Sequence, residues 1–420
     1  MSFSREDLIA TLDVGSSKVA CFIGQIDDVG TIKVLGMGVR MCRGVKSGVV
    51  VDMDETERAI RAAVEQAERI AGETVESVTA SLSGGAPEST VFEVEVAIDG
   101  HRVDQEDIVR ALEQARSSIP ESERAIVHAF PACYALDGVY GVRAPVGMYG
   151  ERLAVTMHVI SALPGPMRNL EAAIERAHLS VSGFVASPYA AGLAALVEDE
   201  RELGAACIDL GGGTTQIGIF AAGALVHAEV VEMGGQIVTQ DIARGLLTPM
   251  DCAERLKTLH GSAVASPSDD RETIEVLQLG ESAGEDGGDA GLPRSMLNGI
   301  IQPRLEELFE IVRDRLATAG FETGRSGGGR VVLTGGAAQL PGIRDLAQRV
   351  LGTRVRIGRP AGFPGLAEAT AGPAFSTCAG LLRYRIAAPA EAQGRQRRFD
   401  RKDEPNGRLG RVGRWLKENF

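Results

Sequence analysis

The chain has 420 residues, 44% of them apolar and 24% charged, with a formal net charge of −13. It is too long for one ordinary domain and too apolar for a disordered chain, and its acidic balance argues against a nucleic-acid-binding body, so no nucleic-acid partner is expected. Its apolar runs fall short of the roughly 20 residues a bilayer span needs, Glu6 and Asp7 stand where a signal peptide needs bases, and six scattered cysteines without a CxxC pair read as buried thiols, so secreted, membrane-spanning and zinc-finger classes drop out.

Taken in chain order, Ile9 to Gly24 reads as a strand, a tight turn and a second strand. Asp54 to Ala71 has helical periodicity, with Ile60, Ala63, Val64, Ala67 and Ile70 on one face and Gly72 as its stop. Thr90 to Ile98 alternates as a strand, Asp104 to Arg116 and Gly165 to Ala177 read as helices, and Leu153 to Ile160 is a strand between them. Cys207 to Phe220 then repeats the plan of the first hairpin: an apolar strand delivers an Asp, a Gly follows one residue later, and small or hydroxyl residues lead into another apolar run. Helices are expected over Ile237 to Leu247 and Met250 to Leu259, a polar loop tip over Gly284 to Gly291, and a long helix over Asn298 to Ala319. The strand Arg330 to Leu333 runs into Gly335 and Gly336. Strands alternating with helices make this an α/β protein of two related lobes.

The paired hairpins carry the chemistry. A polyphosphate needs backbone N–H donors, and glycine lets the main chain approach closely. Ser16, Ser17, Thr214 and Thr215 add hydroxyl donors, Lys18 offsets phosphate charge, and Asp13 and Asp209 are placed to hold a hydrated Mg²⁺. One D-x-G turn is equally an ordinary hairpin turn. Two matched copies half a chain apart, with a third Gly-rich turn, are far more specific, and the GxxxxGK[ST] loop is absent. The six histidines show no metal-ligand spacing and read as core or surface imidazoles, and Met233 and Met250 read as packing residues.

Residues 389–407 are polar and charged and read as a disordered linker. Beyond them, helical winding places Leu409, Val412, Leu416 and Phe420 on one face with Trp415 at its edge, and Arg411, Arg414 and Lys417 opposite. From Arg395 onward the net charge is +5 in an otherwise acidic chain. The expected structure is an amphipathic helix lying on an anionic membrane surface, folding on contact because Gly410 and Gly413 weaken it alone.

Leu12 to Lys18, Ile208 to Thr215 and Val331 to Gly342 resemble the two phosphate motifs and the adenosine motif of the actin/Hsp70/sugar-kinase superfamily, and Ser187 to Gly192 and Ser376 to Leu381 its two inter-lobe connecting helices. Within it, Val197 to Gly204, Gly234 to Ala243, Pro249 to Leu256, Ile301 to Arg304 and Arg354 to Gly358 resemble the FtsA family of bacterial cell-division proteins, over the whole chain. The resemblance implies an actin-like two-lobe ATPase fold with an inserted α+β subdomain. The first lobe would comprise residues 1–85, 164–202 and 373–388, the insert 86–163, the second-lobe core 203–235 and 308–372, and an outer subdomain 236–307, followed by the linker and the membrane helix over 408–420.

It also implies ATP and Mg²⁺ between the lobes, held by Asp13, Gly15, Ser16, Ser17 and Lys18, by Asp209, Gly211, Gly212, Gly213, Thr214 and Thr215, and by Gly335 and Gly336. Gly234 and Gly235 resemble a nucleotide-side turn, and Glu254 and Lys257 an adenine- and ribose-side pair that is equally an ordinary helical ion pair. The implied role is a polymerising protein that tethers FtsZ to the inner face of the cytoplasmic membrane at the division site and recruits later division proteins. Its partners would be FtsZ, further copies of itself and anionic inner-membrane lipids, with Arg294, an exposed basic point, and Arg304 facing an acidic FtsZ peptide. One departure matters: the run around Gly183, where actin presents a water-orienting Gln, holds no Gln, Glu or His, so at most slow hydrolysis is expected. A sugar-type kinase or other ATPase of the superfamily is the alternative, although a kinase has no use for the amphipathic tail. A chaperone ATPase would need a substrate-binding β domain for which there is no room.

Overall fold

Burial on both faces decides the two central sheets. A computed structural model describes residues 8–27, 30–119, 122–142, 144–279, 291–322 and 329–387. All but the last residue of the expected loop tip at 284–291, the linker and the tail helix lie outside the described residues. The chain opens with β1 (Leu8–Val14), β2 (Lys18–Ile26), β3 (Ile32–Met41), the short β4 (Val45–Lys46) and β5 (Val49–Val50), α1 (Met53–Ala71) and β6 (Ser77–Leu82). A separate unit follows: β7 (Glu88–Ala97), α2 (Gln105–Ser117), β8 (Ala125–Leu136), β9 (Val139–Val142) and β10 (Arg152–Ala162). Then come α3 (Pro164–Arg176), β11 (Ser180–Ala186), α4 (Ser187–Ala195) and α5 (Glu198–Leu203). The rest comprises β12 (Ala205–Leu210), β13 (Thr215–Ala221), β14 (Ala224–Val231), α6 (Gly235–Gly245), α7 (Met250–His260), β15 (Thr273–Ile274), β16 (Leu292–Pro293), α8 (Arg294–Thr318), β17 (Arg330–Thr334), α9 (Ile343–Leu351), β18 (Val355–Ile357) and α10 (Ser376–Ala387).

The repeat seen in the sequence is a repeat of sheets. The first sheet has the order β11-β6-β1-β2-β3 and the second β18-β17-β12-β13-β14. In each, three consecutive strands pair antiparallel and two later strands add in parallel to the first of them. Continuous apolar runs such as Val19 to Ile23 and Ala205 to Ile208 suit these strands, because neighbours cover both faces. The inserted unit builds its own sheet, β7-β10-β8-β9, over a core of Leu153, Val155, Met157 and Ala111.

Helix α1 is set by its ends and one face. Asp52 accepts a hydrogen bond from the Glu55 N–H at the start, and Gly72 closes it at φ 72°. Ala59, Ile60, Ala63, Val64 and Ala67 are buried; Ile70, expected on that face, is 54% exposed in the last turn. Helix α8 begins at Arg294, four residues before the expected start, and carries Pro303 inside it.

Helices α4 and α10 cross between the lobes. A Cβ on Gly380 would lie 1.7 Å from the Ala190 carbonyl oxygen, so only glycine permits this approach. Their flanks meet the inserted sheet in an aromatic cluster, where His128 lies 5.7 Å from both Tyr189 and Tyr384 and Phe130 lies 5.6 Å from Tyr189 (ring centroids). No helix among the described residues is long and apolar enough to cross a membrane.

Candidate functional site

Because the two sheets repeat, the two D-x-G turns come to the same ends of both, and they meet. A Cβ on Gly212 would sit 3.0 Å from the Ser17 Cβ, and one on Gly213 only 2.4 Å from Ser16 Oγ. Across the gap, the Gln236 Nε2 donates to the Ser16 carbonyl at 2.8 Å. Within the first turn the Gly15 N–H bonds the Lys18 carbonyl at 3.0 Å; within the second the Gly211 N–H bonds the Thr214 carbonyl at 2.9 Å.

Two carboxylates stand at the ends of β1 and β12. Asp13 Oδ1 accepts from Ser81 Oγ at 2.7 Å, and Asp209 Oδ2 from Thr377 Oγ1 at 2.7 Å. Burial pushes both toward the protonated form. Asp209 rises to about 6, first through desolvation, with the charge of Asp13 adding and the Thr377 bond and Lys18 opposing. Burial also lowers Lys18, against the pull of Asp13 and Asp209, and its ammonium lies 4.5 Å from the centre of the Phe375 ring. Two acids therefore share a buried floor with a single lysine, one positive charge short of balance when both carboxylates are ionised.

The glycine turns close around that floor. Gly335, at φ 90°, packs so near that a Cβ would fall 2.2 Å from Asp209 Oδ1, whereas one on Gly336 would meet nothing nearer than the Ala374 Cβ at 4.0 Å. The Gly235 and Gln236 N–H groups bond the carbonyls of Gly211 and Gly212 at 2.9 and 2.8 Å, and a Cβ on Gly234 would strike the same carbonyls. Glu254 and Lys257 form an ion pair at 2.7 Å, and Lys257 Nζ also donates to the Gly235 carbonyl at 3.1 Å, which ties α7 to this edge of the cleft.

Sequence reasoning missed several groups here. Gln216 on β13 pairs in register with Asp209, so both side chains share one face of the sheet. Its Oε1, the Thr215 Oγ1 and the Ser187 Oγ are buried without a hydrogen-bond partner among the described residues. Ser81 and Thr377, the partners of the two acids, come from strands and helices far away in the chain. Gln216 alone had a local signal, since it lies seven residues, an odd number, from Asp209 across a two-strand turn.

Four expectations need correction. Gly183 does not face the cleft: it pairs with Thr79 inside β11, whereas Asp13 is level with Ser81 and Val185. The polar group at the junction of β11 and α4 is Ser187. Arg294 is not an exposed basic point. It begins α8, its side chain is only 24% exposed, and it donates to the His260 carbonyl at 2.7 Å and to Glu272 at 2.6 Å. Arg304 is likewise held by Asp241 and Glu307. Met250, expected to pack, is 47% exposed, whereas Met233 does pack against the second-lobe core.

Residues 206–380 match the family model described as cell division protein FtsA, and residues 84–161 the model of the SHS2 domain inserted in FtsA. A relative from Rhizobium meliloti (strain 1021), named cell division protein FtsA, is 43% identical over 426 residues, covering 99% of this chain and 96% of its own. The chain belongs to the FtsA family of cell-division proteins. The FtsA of Escherichia coli (strain K12) is 33% identical, covering 98% of this chain and 96% of its own. Among solved structures, the PilM–PilN type IV pilus biogenesis complex superposes with a TM-score of 0.62 at 17% identity, covering 91% of this chain and 99% of that one. That likeness is one of fold, and the fold is actin-like with the FtsA insertion.

Proposed function

We propose that this FtsA-family chain binds ATP with Mg²⁺ between its lobes, polymerises, and tethers FtsZ to the inner face of the cytoplasmic membrane, where it recruits later division proteins. The observation that carries the nucleotide reading is the junction of the two phosphate-type turns over Asp13, Asp209 and Lys18. The residues fit the ligand. Glycines at 211–213 and 335–336 leave backbone exposed to it, unpartnered Thr215 and Gln216 atoms are donors and acceptors without a task, and two desolvated acids want a cation. Bound Mg²⁺–ATP would supply that positive charge and a polyphosphate for the turn N–H groups. Asp13 and Asp209 would hold the hydrated metal, Lys18 and the hydroxyls of Ser16, Ser17, Thr214 and Thr215 the phosphates, and the Gly234–Gly235 and Gly335–Gly336 turns with Glu254 and Lys257 the nucleoside.

Ser187, Thr215 and Gln216 carry the buried unpartnered polar atoms near the two acids and none of them is a base, so hydrolysis is slow and the nucleotide acts as a structural or switching ligand. The membrane role rests on the sequence of the tail, where Leu409, Val412, Trp415, Leu416 and Phe420 oppose Arg411, Arg414 and Lys417. The FtsZ-facing surface is assigned to residues 236–307 as a whole, since Arg294 and Arg304 already have partners. Replacing Asp209 by Ala should lower Mg²⁺-dependent ATP affinity at least tenfold in calorimetry. Unchanged affinity would remove the nucleotide reading, and wild-type phosphate release of several per second would remove the slow-turnover one.

A further inference from the structure

Between the phosphate turns and the inserted subdomain lies a small hairpin to which nothing above gives a task. Strands β4 and β5 pair with Lys46 opposite Val49, leaving a two-residue tip, Ser47–Gly48. Both tip residues have positive φ, 47° and 75°, the pattern of a type I′ turn. Glycine takes this conformation freely, but serine is held there at a steric cost.

The tip touches both phosphate turns. The Gly48 N–H donates to Ser16 Oγ at 3.2 Å, and a Cβ on Gly213 would lie 3.0 Å from the Ser47 nitrogen. The Ser47 N–H and hydroxyl bond no other described residue, so the tip presents two uncommitted donors beside the place where the turns meet.

On its other side the same tip bears on the root of the insert, backbone against backbone. A Cβ on Gly84 would fall 2.1 Å from the Gly48 carbonyl oxygen, and one on Gly48 would fall 2.7 Å from the Gly84 nitrogen. Gly84 and Gly85 form the entry to the inserted subdomain, and the Leu163 N–H donates to the Gly85 carbonyl at 2.8 Å, joining entry to exit. Arg124 of the insert donates to the Ala86 carbonyl and so grips the same root. With no side chain in the Gly48–Gly84 contact, a small shift of the tip has nothing compressible to absorb it.

We infer that Ser47–Gly48 is a third phosphate-facing turn, one that contacts the terminal phosphate of a nucleoside triphosphate and relays its presence through Gly84–Gly85 to the orientation of the inserted subdomain. This rests on the nucleotide reading above and extends it. A triphosphate engages the Ser47 donors and holds the tip, and with it the root of the insert. A diphosphate lacks that group, and the tip moves back toward Ser16. The site thus distinguishes ATP from ADP by a contact made outside both D-x-G turns, and the readout is a subdomain that touches no nucleotide.

The test uses the full chain with ADP and with a non-hydrolysable ATP analogue, each with Mg²⁺. It reads affinity by calorimetry and the hydrogen exchange of peptides covering residues 84–97 and 152–163. In the wild type the analogue should protect these peptides at least threefold more than ADP. Ser47→Gly, which relieves the backbone strain and removes the hydroxyl, should lower the affinity preference for the analogue over ADP at least threefold. Gly84→Ala, folded as judged by circular dichroism, drives a Cβ into the Gly48 carbonyl, so it should abolish the exchange difference and lower the affinity preference for the analogue at least threefold, while ADP affinity stays within threefold of wild type. If Gly84→Ala fails to fold, Ser47→Gly decides alone: an unchanged preference together with an unchanged exchange difference overturns the relay. Equal protection by the two nucleotides in the wild type overturns it as well, while the nucleotide reading survives. Absence of binding to either nucleotide overturns both.

Discussion

Asp209 shows how a single residue changes character between sequence and structure. In an exposed turn its carboxyl would stay ionised at all physiological pH; on the floor of the cleft burial lifts it to about 6. Because the folded-state value is raised above the unfolded one, the empty cleft is stabilised by the protonated form, and that contribution is lost as pH rises from about 4 through 6. Metal binding needs the ionised form, so the sign for the ligand is opposite. Mg²⁺-dependent ATP affinity should climb by up to about tenfold per pH unit below 6 and level off above it, measured by calorimetry from pH 5 to 8. Asp209→Asn should lose that step, separating it from the titration of ATP itself. His158 makes the converse case. Its Nδ1 donates to the Leu225 carbonyl at 2.9 Å, which leaves Nε2 to accept from Ser89 Oγ, which in turn accepts the Ala228 N–H. A neutral ring satisfies every group of that chain. Burial lowers its pKa to about 4, with His227 and His128 opposing protonation from either side. Stability therefore falls as pH drops from about 6.5 to 4, by on the order of 3 kcal/mol for this group. Denaturant titrations of His158→Gln should show a pH slope shallower by up to one proton in that window, and an unchanged slope would remove the assignment.

Elements here are placed by glycine as much as by apolar side chains. Strand β3 carries Gly36 and Gly38 so that α1 can lie on the sheet: a Cβ at either would fall 2.2 or 1.8 Å from the carbonyls of Ala67 and Ala63. The α4–α10 crossing obeys the same logic through Gly380, and Gly192 does so against the Phe220 ring. Gly380→Ala should therefore push the two inter-lobe helices apart and cost about 1–3 kcal/mol or more by overpacking. Gly299→Ala, in α8 with open space around it, should be neutral or slightly stabilising as a helical Gly-to-Ala change. Chemical denaturation of the two variants checks both, and equal stabilities would refute the packing argument. Hairpin periodicity, caps and the amphipathic face of α1 were legible because each is a property of neighbours along the chain.

At the scale of the whole molecule the inserted subdomain is fastened to both lobes. The Ala186 N–H donates to His128 Nε2 at 2.9 Å on the first-lobe side, and His158 and Ser89 bond β14 of the second. The tail adds a further level. If the tail anchors as proposed, partial burial of Leu409, Val412, Trp415, Leu416 and Phe420 in a bilayer surface would contribute about 5–8 kcal/mol, and nearby cations about 1 kcal/mol each. Ordering a dozen residues offsets most of that gain. On that proposal one tail would bind reversibly, and a polymer presenting many tails would bind firmly. Trp415→Glu should abolish flotation with anionic vesicles without changing ATP affinity, and added salt should weaken but not remove wild-type flotation, since the apolar part is unscreened. Flotation of the variant at wild-type levels would disprove the anchor.

The sequence by itself determined the two-lobe repeat, the D-x-G turns with Asp13 and Asp209, and the family, because a turn and its flanking strands are written in consecutive residues. Only the tertiary structure decided what surrounds them. Ser81 and Thr377 reach the acids from 68 and 168 residues away, Gln216 gains meaning only beside Asp209, and Ser47–Gly48 meets Gly84 through bare backbone that leaves no side-chain pattern to read. The same distinction corrects Arg294 and Gly183. One was judged exposed from its local polarity and the other placed by counting residues, but burial and register are set by whichever segments arrive from elsewhere in the chain.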